Sequence, residues 1–135
     1  MKPYVEALKA LADDTRLRII RLLLINRTAM CVCELVDALE ERQYNVSRHL
    51  QILEAAGLIE GTKDGRWVYY FVAKPPQDAF VRALYQAVGQ LPALDDTVAA
   101  DQGRFQERMQ LRDGDRCRVG IQKRYLIGGG PNGRH

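Results

Sequence analysis

Apolar residues at Tyr4, Val5, Leu8 and Leu11 recur at helical spacing behind Pro3, a residue suited to a first helical turn, and predict an opening helix. Asp13 and Asp14 then offer an N-cap for a second helix through Leu17, Ile20, Leu24 and Ile25, ending near Asn26. A third helix is predicted from Cys31 or Val32 to Glu40, burying Leu35 and Leu39. A fourth, from about Gln43 to Ala56, carries Val46, Leu50 and Leu53 on one face and stops at Gly57. The period then changes. Residues 58–63 and 67–72 read as strands around Asp64 and Gly65, a strong hairpin signal, with Trp67, Val68, Tyr69, Tyr70 and Phe71 as strand formers. Pro75 and Pro76 break the chain before a fifth helix marked by Phe80, Val81, Leu84, Tyr85 and Val88, closing near Gly89. Beyond Pro92 the apolar positions thin to Val98, Phe105 and Met109, enough for a weak helix over about 96–111, and the run from Gly128 to Gly133 reads as disordered.

Two short helices joined by a tight turn, the second followed by a hairpin, predict a winged helix-turn-helix: mostly α, with a two-stranded β wing between the fourth and fifth helices. A chain of 135 residues, 47% hydrophobic, buries one modest core. The expectation is one domain over residues 1–90 for DNA binding and dimerisation, and a C-terminal extension over 91–135 that ends in a flexible tail. No apolar run reaches the roughly 18 residues of a membrane span, and the start lacks the apolar stretch of a signal peptide, so a cytoplasmic protein with reduced thiols is expected. Three cysteines, an odd number, suit metal ligation or a redox pair better than a disulfide framework. The formal charge of +3 is too small to announce a nucleic-acid partner. Its basic excess lies in residues 101–135, with eight Lys or Arg against four Asp or Glu.

Four ordered segments carry a family resemblance: LKALADDTRLRII (8–20), CVCEL (31–35), VSRHLQIL (46–53) and GRWVYY (65–70). Together they resemble the ArsR/SmtB family of metal-sensing winged-helix repressors over roughly residues 4–90, and its arsenic-responsive branch above all. The resemblance implies a homodimer that binds a palindromic double-stranded operator when ligand-free and leaves it when a metal or metalloid binds. It implies no organic cofactor and no membrane partner.

On the fourth helix Gln43, Asn45, Ser47, Arg48 and Gln51 are polar where Val46, Leu50 and Leu53 face inward, so one face is free to enter a major groove. Arg reads guanine, and Asn or Gln reads adenine. Taken alone, the same face is also that of an ordinary solvated helix. His49 reads as a phosphate contact or a surface residue, with metal ligation as an alternative. Lys63 and Arg66 flank the hairpin tip, within reach of sugar and phosphate. The turn at Glu40, Glu41 and Arg42 lacks glycine and the usual small polar cap, which leaves the start of the fourth helix open. Tyr4, Leu8, Phe80, Val81, Leu84 and Val88 form apolar faces suited to a dimer contact.

Cys31 and Cys33 are the candidate metal ligands. On a regular helix, residues i and i+2 point about 200° apart, so both grip one ion only if the first turn unwinds. A helix N-terminus favours thiolate, and Arg116 and Arg118 would do the same for Cys117. The competing readings are buried apolar cysteines and, for Cys117, an incidental tail thiol. Three thiolates without a nearby carboxylate or histidine suit a trigonal thiophilic inducer, As(III) or Sb(III), whereas zinc takes four ligands. Sites known from other family members look absent: the N-terminal arm has no cysteine, and the fifth helix offers Gln77 and Asp78 but no histidine. A disulfide switch on the same cysteines, or a sensor of another thiophilic ion, is the alternative. An enzyme is not expected, since Cys-x-Cys lacks the thioredoxin spacer and no nucleophile, phosphate-loop or paired-carboxylate constellation is present.

Overall fold

The computed structural model describes residues 1–72 and 78–128. Helices α1 (Lys2–Leu11), α2 (Asp14–Asn26), α3 (Val32–Leu39) and α4 (Gln43–Ala55) precede strands β1 (Ile59–Asp64) and β2 (Trp67–Val72); α5 (Ala79–Gly89) and α6 (Asp96–Met109) follow. This is a winged helix-turn-helix. Pro3 sits in the first turn of α1, and the Asp13 carboxylate caps α2 by accepting from the Arg16 N–H at 3.0 Å. Asp95 caps α6 in the same way through the amides of Thr97 and Val98. The strands pair antiparallel from Ile59 opposite Val72 to Asp64 opposite Trp67. The hairpin loop is therefore Gly65 and Arg66, one residue later than the expected Asp64 and Gly65, with Gly65 taking the positive φ of 65°. The Pro75 and Pro76 break, Gln77 and the glycine run beyond Gly128 lie outside the described residues.

Ile19, Ile20, Leu22 and Leu23 of α2, Leu35 and Leu39 of α3, and Val46, Leu50 and Leu53 of α4 form the core with Leu58 and Ile59. Each such side chain stabilises the fold by about 1.5–3 kcal/mol when fully buried. Val88 of α5 is 5% exposed and turned into this same core. It is thus withdrawn from the dimer face expected of it.

Helix α3 is enclosed. Every residue from Cys33 to Leu39 is buried, Glu34 and Asp37 included, because α4 packs on one side and α6 with the following chain on the other. Arg108 of α6 reaches Asp37 at 2.7 Å, and Arg112, just past α6, makes a two-pronged ion pair with Glu34 at 2.7 and 2.8 Å. Arg18 and Arg104 meet on buried Asp101. The expected flexible tail is accordingly corrected as far as Gly128. The chain after α6 crosses α3, buries Cys117 and Leu126, and forms a single 3-10 turn, η1 (Arg124–Leu126). Its backbone is held by the Asp37 carboxylate, which accepts from the amides of Gln122 and Lys123 at 3.0 and 3.1 Å.

Candidate metal centre and nucleic-acid interface

Cys31 is the residue before α3, in extended backbone at φ −87° and ψ 166°. That offset removes the helical constraint on an i, i+2 pair. The Cys31 and Cys33 sulfurs lie 3.0 Å apart with no unwinding of the helix. Two backbone hydrogen bonds between Met30 and Tyr70, 3.0 and 2.8 Å, pin the approach to the wing, and the Glu34 carboxylate accepts from the Cys31 N–H at 3.2 Å. Cys117 arrives from the extension with its sulfur 3.5 Å from that of Cys33. All three sulfurs lie within 4.8 Å of one another, each residue buried, beside Trp67, Tyr69 and Ile121. Among the described residues no histidine or carboxylate belongs to the cluster. A cleft of about 330 Å³ between the wing, the start of α4 and Gly120 of the extension leads to Cys31 and Cys33.

The Cys31 and Cys117 thiols are held in their protonated form. The hydrogen bond to Cys33, then burial, then the Glu34 charge push the Cys31 thiol far above its ordinary value, and burial first of all pushes Cys117 up to about 11. The thiolate stabilisation expected of these two residues is absent. Arg116 is drawn to Asp64 at the wing tip and Arg118 is exposed, so neither cation neutralises the Cys117 sulfur. Glu34 stays ionised: burial alone would raise it, but the hydrogen bonds and charge of Arg112 outweigh burial and hold it below the usual carboxylate range.

The extension links this cluster to both elements read as DNA-facing. The Cys117 N–H donates to the Tyr69 hydroxyl of β2 at 2.9 Å, and Arg116 pairs with Asp64. Farther on, Arg42 Nη1 donates to the Tyr125 carbonyl at 3.1 Å, the Gly128 N–H donates to Gln43 Oε1 at 2.7 Å, and the Tyr44 N–H donates to the Gly128 carbonyl at 2.9 Å. This last hydrogen bond supplies the acceptor missing from the turn before α4. Glu40 meanwhile ends α3 in the left-handed region, φ 54°, without glycine.

Of the side chains read as DNA contacts, Arg48 and Gln51 are exposed on α4, Asn45 and Ser47 are half-buried, and Gln43 is engaged by Gly128. Lys63 and Arg66 are exposed at the hairpin tip, where Arg66 stacks on Trp67 at 4.4 Å. His49 corrects its expectation. It is 7% exposed, with Nδ1 3.0 Å from Arg16 Nη1, and serves to join α4 to α2 rather than to meet phosphate. Of the side chains read as a dimer contact, Tyr4 and Leu8 are exposed, Phe80 packs edge-on to Tyr4 at 5.3 Å, and Val81 and Leu84 are half-buried.

A family model described as "Bacterial regulatory protein, arsR family" matches residues 13–60. Over 67 residues the chain is 43% identical to an uncharacterised HTH-type transcriptional regulator of Methanocaldococcus jannaschii, covering 50% of this chain and 74% of that one. The chain belongs to the ArsR family. It is also similar to the arsenical resistance operon repressor of Escherichia coli, 46% identical over 66 residues, 49% of this chain and 56% of the repressor. It thus spans little more than half of that relative's length. Among solved structures, reduced HlyU from Vibrio cholerae matches with a TM-score of 0.55 at 31% identity, covering 64% of this chain and 85% of that one. The ArsR family is one of regulatory proteins, not of enzymes.

The segment matched by the ArsR family model contains Cys31, Cys33 and α4 but stops short of Cys117 and the extension. Reading the sequence missed how the extension docks. A signal was present: Arg104, Arg108 and Arg112 recur every four residues, a single helical stripe, and Glu34 and Asp37 are spaced three apart on the helix it covers.

Proposed function

We propose that this chain is a metalloid-responsive repressor that binds operator DNA as a ligand-free homodimer and releases it when Cys31, Cys33 and Cys117 take up As(III) or Sb(III). The observation that carries this reading is the cluster of three buried sulfurs, which no oxygen or nitrogen ligand joins among the described residues. That donor set fits a trigonal thiophilic ion and under-fills a zinc site. The arsenical resistance repressor among the relatives supports the same choice.

Such an ion, when bound, supplies three bonds to soft sulfur in place of the thiol protons. The chain's own residues do the rest. Cys31 and Cys33 belong to the entrance of α3, and Cys117 belongs to the extension, so closing the three sulfurs together repositions one against the other. The extension is hydrogen-bonded to the first turn of α4 and to the wing. A shift at Cys117 is therefore delivered to both DNA-facing elements, and α3 packs directly on α4. The coupling required is on the order of 1–3 kcal/mol. Residues 1–90 act as the DNA-binding and dimerising unit and 91–135 as the extension. Tyr4, Leu8, Phe80, Val81 and Leu84 form the dimer contact that sets two α4 helices about one DNA turn apart.

The test is release of a palindromic duplex, selected by the protein from a randomised pool, on titration with arsenite, antimonite, cadmium, zinc or peroxide. Release by arsenite and antimonite at lower concentration than by cadmium or zinc is expected. Release by peroxide alone would favour a disulfide switch, which the 3.0 and 3.5 Å sulfur separations also accommodate.

A further inference from the structure

The turn Arg124–Leu126 has an outward face that the thiol site does not use. Leu126 is 4% exposed and anchors the turn, while Arg42, Gln43 and Tyr44 hold it from the start of α4. Lys123 is already paired with Glu40 at 2.7 Å. Arg124 differs. It is exposed, makes no ion pair among the described residues, and stands beside Tyr125, which is 65% exposed.

Position gives these two side chains a meaning. The N-terminal end of a recognition helix is the end that enters the major groove, and the phosphates bordering the groove pass on either side of it. An unpaired guanidinium held there by a backbone docked on the helix itself is well placed for phosphate, which it meets with two parallel donors. We propose that the turn is a third DNA-contacting element, beside α4 and the wing, and that Arg124 is its phosphate-binding group. The proposal rests on the reading of α4 as the recognition helix. It also gives the basic excess of residues 101–135 a use, since the backbone that bears Arg124 is held at the start of α4.

The test uses the full chain without any metalloid and measures binding to the selected duplex and to a scrambled duplex over a range of salt concentrations. Arg124→Ala is expected to weaken both duplexes by a similar factor. The slope of log affinity against log salt should become shallower by about 0.9 for each phosphate that the variant no longer neutralises. Arg124→Lys, which keeps the charge, should retain most of the slope. Unchanged affinity and slope in Arg124→Ala overturn the proposal, and tighter binding overturns it by showing that the turn screens α4 from DNA. Equal binding of the selected and scrambled duplexes by the wild type would instead remove the recognition-helix reading on which the proposal stands. Arg124 is exposed, so the variants should melt with the wild type.

Discussion

Cys31 stands one residue outside α3, and that single step decides whether a Cys-x-Cys pair converges or diverges, because only a residue free of helical backbone angles can turn its sulfur onto that of its i+2 neighbour. What the residues beneath it do is equally specific. Glu34 is fully buried, accepts from the Cys31 amide, and among the described residues is neutralised by Arg112 alone. Removing one partner of such a pair leaves a buried charge, which costs about 3–5 kcal/mol. Arg112→Ala is therefore expected to lose stability of that order in chemical denaturation, and adding Glu34→Gln should recover part of it by removing the stranded carboxylate. A loss below about 1 kcal/mol would mean that water reaches Glu34 and that the pair is a surface one. Candidate ligands were legible at this scale as residue types and spacings. The protonation of Cys117 was not, since Arg116 and Arg118 flank it in sequence but turn elsewhere in space.

At the scale of elements, α1 to α5 and the hairpin were legible because each announces itself locally: Pro3 and Asp13 at helix starts, Gly57 after α4, Gly65 in the turn. Two features were not. The start of α4 has no cap of its own because its acceptor, Gly128, comes from the far end of the chain. His49 sits among polar neighbours in sequence, yet the helix turns it inward onto Arg16. Burial comes first in holding its imidazole below the ordinary 6.5; Arg48 and Arg16 add to this, while Asp13 and Glu41 pull the other way. The folded chain thus binds fewer protons than the unfolded one between the lowered value and 6.5. Stability from this group is complete above 6.5 and is lost as pH falls through that window. Urea midpoints should drop across it in the wild type, and His49→Gln should lose that part of the pH dependence. Parallel pH profiles for the two proteins would contradict the assignment.

The whole molecule differs from its expected plan in one respect: the extension is a structural member of the winged unit. It lays Arg108 and Arg112 on α3, Cys117 beside Cys33, and Gly128 on α4. No helix of the described residues is long and apolar enough to cross a membrane. Docking over a sequence separation of about eighty residues depends on tertiary partners, Asp37 and Glu34 above all, that no local pattern of apolar positions reveals. One side of the thiol cluster belongs to α3 and the other to this extension, so the proposed ligand response is exerted across that seam. The most direct test is an arsenite titration of the duplex complex with wild type, Cys31→Ser, Cys33→Ser and Cys117→Ser, each first matched for metalloid-free DNA affinity. All four are expected to bind DNA alike. The first two variants should fail to release it, and Cys117→Ser should require at least about tenfold more arsenite, a difference of roughly 1.4 kcal/mol. Release of Cys117→Ser at the wild-type arsenite concentration would contradict a response across the seam and leave the extension outside the sensing site.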